Sequence, residues 1–189
     1  MEAIASRQPV AQPIQTDGRP VTMDLEQIFR EYNGLVFRTA YRITGSNQDA
    51  EDVLQTVFLR LARKEEDAEY THLPSYLRRA AINAAFDLLR GRQRARATPL
   101  DDVAPALIDR AAHSPDLLYQ DLEIKQWLRN TVAQLSPMAA QIFALRFFEG
   151  KDNPEIAEIV GASLGTVSVT LSRARDRVER EFQIWSRKQ

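Results

Sequence analysis

The chain has no cysteine and only two histidines, His72 and His113. Disulfides and thiolate-bound metals are therefore excluded, and a reducing compartment suits it. The two histidines stand far apart in loop-like sequence, which leaves no histidine-based metal site or catalytic triad to build. The glycines are scattered rather than gathered into a phosphate loop, and no paired carboxylates are placed for general acid and base chemistry. No apolar run is long enough to span a bilayer, so no membrane insertion is expected. The start lacks the basic segment and apolar core of a secretory signal. Together these absences argue against an enzyme, against any cofactor or metal, and for a cytoplasmic protein.

Net charge is also nearly absent, at −1, which alone argues against a general nucleic-acid binder. Its distribution matters more. Arg78, Arg79, Arg90, Arg92, Arg94 and Arg96 face a single acid, Asp87, over one stretch, while 49–52 and 65–69 are acidic. One basic segment beside acidic ones suits a protein that meets DNA with one surface and a second partner with another.

What is present is helical periodicity, with 44% hydrophobic residues among 189 and no convincing strand alternation. The expected fold is all-α: two small helical domains joined by a flexible linker, the C-terminal one containing a helix-turn-helix. Residues 1–22, with Pro9, Pro13, Gly18 and Pro20 among polar residues, read as a disordered tail. A first domain is expected over 23–95, a linker carrying Pro99, Pro105 and Pro115 over 96–115, and a second domain over 116–186.

The helix-turn-helix lies in 151–180. Asp152 with Glu155 forms a potential capping box, Pro154 sits in the first turn, Gly161 ends the helix and Ser163 caps the next. Val167, Leu171, Ala174 and Val178 give the second helix an inward face met by Ile156, Ala157 and Val160. Thr166, Ser168, Thr170, Arg173 and Arg175 fall on its outer face, where arginines can donate to phosphate or guanine. A plain helical hairpin is the bland alternative.

Earlier in the chain, 24–43 reads as a helix stopped by Gly45, and Ser46 opens another with Asp49 at the box position. Opposite that second helix's apolar stripe stand Asp52, Gln55, Thr56 and Leu59, a mixed strip of the kind protein interfaces use, or simply a solvated face. Pro74 then starts a helix to about Arg92, whose polar strip carries Arg79, Asn83 and Arg90 with Asp87 at its edge. Such a strip can grip a nucleic-acid backbone and bond a base edge.

DAEDVLQTVFLRLAR (49–63), LPSYLRRAAINAAFDLLRGRQR (73–94) and the segment 135–177 with GTVSVTLSRAR resemble, in order, regions 2.2, 2.3 to 2.4, and 4 of bacterial sigma-70 family sigma factors of the extracytoplasmic-function type. The resemblance implies a factor that binds core RNA polymerase and directs promoter-specific initiation, usually held in check by an anti-sigma factor. It would place Asp49, Asp52, Gln55, Thr56 and Leu59 against core polymerase. Tyr70, His72, Arg79, Asn83, Asp87, Arg90, Arg92 and Arg94 would meet the minus-10 element as single strand. Ser163, Thr166, Ser168, Val169, Thr170, Arg173 and Arg175 would meet minus-35 promoter DNA. Where the family usually has a basic, a small and a basic residue after Gly-Thr-Val, this chain has Ser168, Val169 and Thr170, which implies weaker or altered minus-35 recognition. The competing reading is a stand-alone helix-turn-helix regulator, for which 49–63 would not matter.

Overall fold

The computed structural model describes residues 25–63, 72–97 and 115–187. The expected tail, nearly all of the expected linker, Tyr70 and His113 lie outside the described residues. Among the described residues there are seven α-helices and no strand. They are α1 (Leu25–Thr44), α2 (Asn47–Ala62), α3 (Leu73–Ala97), α4 (Pro115–Ala133), α5 (Pro137–Phe147), α6 (Asn153–Val160) and α7 (Leu164–Ser186).

Local chemistry explains the boundaries. Gly45, at φ 70°, ends α1 by donating its N–H to the Tyr41 carbonyl at 2.7 Å. Ser46 accepts from the Asp49 N–H at 3.3 Å, which is half of the expected capping box. α5 starts on Pro137, but Ser136 makes no side-chain cap bond. It closes through Gly150, also at φ 70°, with Lys151 N–H bonding back to the Leu145 carbonyl at 2.9 Å. α3 runs past the expected end near Arg92 to Ala97, since the Arg- and Ala-rich tail favours helix.

α3 is the spine of the molecule. It packs against α1 and α2, and also against α4, α5 and α6. Leu77, Ala81, Ile82, Ala85 and Phe86 are buried along it, each large apolar side chain contributing roughly 1.5–3 kcal/mol. One cluster of buried residues runs through both halves of the chain. Trp127 of α4 meets Phe182 and Trp185 of α7 at ring separations of 5.4 and 5.6 Å, which ties down the far end of the last helix.

Candidate nucleic-acid and polymerase interfaces

The helix-turn-helix is built by caps. Asp152 accepts from Glu155 N–H at 2.9 Å and the Glu155 carboxylate accepts from Asp152 N–H at 2.9 Å, completing the capping box. Lys151 Nζ reaches the same Glu155 at 2.6 Å and draws its carboxyl below the usual value. Gly161 takes the left-handed turn at φ 69°, and Ser163 Oγ accepts from Thr166 N–H at 3.1 Å to start α7. Ile156, Val167 and Ala174 are fully buried between the two helices. Ile159 is buried as well, whereas the expected Val160 is only half-buried.

The residues expected on the outer face of α7 divide into two strips. At about 100° per residue, Thr166, Val169, Thr170 and Arg173 share one, and Arg177 falls in line with them. Val169 and Arg173 are exposed there. Ser168 and Arg175 belong to the other. Ser168 accepts from the Asn153 side chain at 3.2 Å, and Arg175 edges a groove lined by Trp127, Phe143, Phe147 and Phe182. Ser163 is spent on capping, since its hydroxyl also meets that of Thr166 at 2.9 Å.

On α2, Asp52, Gln55 and Leu59 are exposed, Leu59 at 57%, and Thr56 is half-buried with its hydroxyl on the Asp52 carbonyl at 2.8 Å. Asp49 departs from the expectation. It is 2% exposed, and both of its oxygens accept from the guanidinium of Arg92. A buried carboxylate held this way joins α2 to α3 and has no face left for a partner. The same pair ties down Arg92.

Along α3 the candidate reading residues meet the other half of the chain. Arg79 donates to the Ile159 carbonyl in the last turn of α6. Asn83 accepts from Gln141 of α5 at 2.7 Å. Arg90 donates through Nε to the Ala133 carbonyl at 2.7 Å, through Nη2 to the Leu135 carbonyl at 3.4 Å, and to Asp87 at 3.1 Å. His72 is exposed just before α3 and its carbonyl accepts from Tyr76 N–H at 3.0 Å. Asp87 and Arg94 are exposed.

Sequence reasoning missed the residues that complete this junction. Glu149, with its side chain only 1% exposed, accepts from Thr39 at 2.7 Å and pairs with Arg78. The Arg129 guanidinium lies on Gly45, and burial lowers its pKa, with the Tyr41 phenol pulling the other way. Neither has a local sequence signal, because their partners are far away along the chain.

Two family models match, in order: Sigma-70 region 2 over residues 28–95 and Sigma-70, region 4 over residues 125–178. The chain is 30% identical over 168 residues to the RNA polymerase sigma-E factor of Streptomyces coelicolor, which spans 85% of this chain and 86% of that protein. The chain belongs to the sigma-70 family. Within it, the chain falls in the extracytoplasmic-function group, being also 30% identical to the ECF RNA polymerase sigma factor SigE of Mycolicibacterium smegmatis. That match takes in 81% of this chain and 59% of the relative. A solved structure of CnrH in complex with the cytosolic domain of CnrY is similar at 21% identity and a TM-score of 0.47, over 85% of this chain and 88% of that one. As a sigma factor with both regions present, the chain is not a stand-alone helix-turn-helix regulator. Among the described residues no helix is long and apolar enough to cross a membrane.

Proposed function

We propose that this sigma factor joins core RNA polymerase through the outer strip of α2 and, once joined, selects promoters with α3 and α7. The observation that carries the reading is the succession of a region 2 match and a region 4 match along one chain. Asp52, Gln55, Thr56 and Leu59 form the polymerase-facing strip, an exposed leucine rimmed by polar groups. Arg79, Asn83 and Arg90 are the minus-10 contacts, with His72, Asp87 and Arg94 at their margins. Thr166, Val169, Thr170, Arg173 and Arg177 face the minus-35 duplex.

Flipping bases out of the stack costs a few kcal/mol each, so capture of a single strand requires both stacking and backbone contacts. The polymerase supplies the surrounding surface, and the protein acts as an initiation factor in the cytoplasm with no covalent step of its own. The family resemblance adds an anti-sigma protein as its regulator. Binding of the purified chain to core polymerase tests the reading: a stable complex is expected, weakened by Asp52→Arg. Absence of any complex overturns it.

A further inference from the structure

We propose that Val169 reads the methyl group of a thymine in the minus-35 duplex, so that the leading turns of α7 select their base by apolar contact. The inference rests on the reading of α7 as the minus-35 contact and names the base this helix recognises.

The inward face of α7 is Val167, Leu171, Ala174 and Val178, all packed in or against the core. At about 100° per residue Val169 lies about 170° from the mean direction of that face, and it is 51% exposed. A lone exposed valine is ordinary on a protein surface. This one heads a strip that continues through Arg173, Arg177 and Arg180, all exposed. None of those three makes an ion pair among the described residues. Guanidinium groups in a row on one face match the phosphates of a duplex. The leading turns of a recognition helix are the ones that meet base edges in the major groove, and Val169 stands there.

The residue types in those turns narrow the choice of base. From Leu164 to Ser172 there is no charged side chain and no amide. An arginine fork on guanine, a carboxylate on cytosine and an amide pair on adenine are therefore unavailable. What remains is hydroxyls, which discriminate little, and apolar contact with the C5 methyl of thymine. The Thr166 hydroxyl is engaged with Ser163 and that of Ser168 with Asn153, while Thr170 is half-buried. Leu164, also exposed, falls off the strip on the side of Ser168 and Arg175.

Gly165 gives a short side chain its reach. It stands one turn before Val169 on the same side of the helix, and a Cβ there would meet nothing closer than Ser163 Oγ at 3.8 Å. No contact within the protein calls for glycine at that position. A bare backbone beside Val169 lets the duplex come close enough for the valine to touch a methyl. Arg173, one turn beyond and about 6 Å along the axis, then reaches phosphate or base.

The test uses the full chain assembled with core polymerase, on a promoter from which that enzyme initiates. The minus-35 segment is randomised, and the duplexes that bind are recovered and sequenced. Each thymine of the recovered sequence, on either strand, is then replaced singly by deoxyuridine, which removes the C5 methyl and keeps every hydrogen-bonding group. Thymine should be enriched, and at one position deoxyuridine should weaken binding by wild type about fourfold, as expected for one carbon group withdrawn from contact. Val169→Ala, at an exposed helical position where alanine is well tolerated, should bind the two duplexes alike. If no thymine is enriched, or if deoxyuridine is tolerated at every position, the proposal is overturned. A methyl effect that persists in Val169→Ala overturns it as well, because another side chain then reads the base. In each of these cases α7 keeps its minus-35 role so long as Arg173→Ala still weakens binding. An absence of any sequence preference over the segment, with wild-type binding by Arg173→Ala, overturns that role and the proposal with it.

Discussion

Gln141 donates its side-chain amide to the Asn83 carbonyl oxygen at 2.7 Å, a bond between residues 58 positions apart. It joins α5 to the polar strip of α3, so one bond belongs at once to the junction between the halves and to the proposed base reader.

Cutting that bond from its two ends should therefore give opposite results. In transcription reconstituted with core polymerase, Asn83→Ala loses a base contact and should lower promoter-specific output by an amount equivalent to about 1–3 kcal/mol. Gln141→Ala should leave it unchanged. Equal losses in both variants would show that the bond matters only for folding.

The α2 strip and its buried neighbour should separate in the same way. Leu59→Arg and Asp52→Arg should weaken the complex with core polymerase about tenfold or more, or ~1.4 kcal/mol, with no change in melting temperature. Asp49→Ala removes a buried carboxylate from Arg92 and should lower stability by about 2 kcal/mol, read in urea unfolding. Wild-type stability in Asp49→Ala would contradict its place beneath Arg92.

On α7, Arg173→Ala and Arg177→Ala should each weaken binding of the initiation complex to a minus-35-dependent promoter by about 1–3 kcal/mol if they read bases. Arg175→Ala should have the smaller effect because its side chain edges the aromatic groove. Footprinting across the minus-35 segment checks the order; a larger loss from Arg175→Ala would reverse the assignment of strips.

The capping box predicts a pH dependence. Lys151 and the Asp152 N–H hold the Glu155 carboxyl below its ordinary value of 4.5. A carboxyl lowered in the fold adds stability above that ordinary value and loses it as pH falls through the folded one. Wild type should thus exceed Glu155→Gln in thermal stability at neutral pH, and the gap should close on acidification below 4.5. Asp152→Ala should cost about 1 kcal/mol. A gap independent of pH would leave the charge of Glu155 without a role.

The parts of this fold that could be read from sequence are those whose causes are local. Asp152 to Glu155, Gly161 and Ser163 each act within one turn, and the helix-turn-helix forms as expected from them. Gly45 ends α1 for the same reason. Asp49 was expected at the box position of α2 and, from the family resemblance, against core polymerase; its partner Arg92 is 43 positions away and has no local signal. Glu149 sits in an unremarkable turn, and only tertiary packing brings Thr39 and Arg78 to it. The polar strip of α3 was legible as a strip, but the helix ends that meet it were not, since a carbonyl oxygen carries no sequence signature.

The most direct measurement is run-off transcription on a genomic promoter library with core polymerase, with and without the purified chain, mapping every start site. The account predicts a new set of starts that appears only with the chain and shrinks with Asn83→Ala. Identical start sites with and without the chain would contradict it.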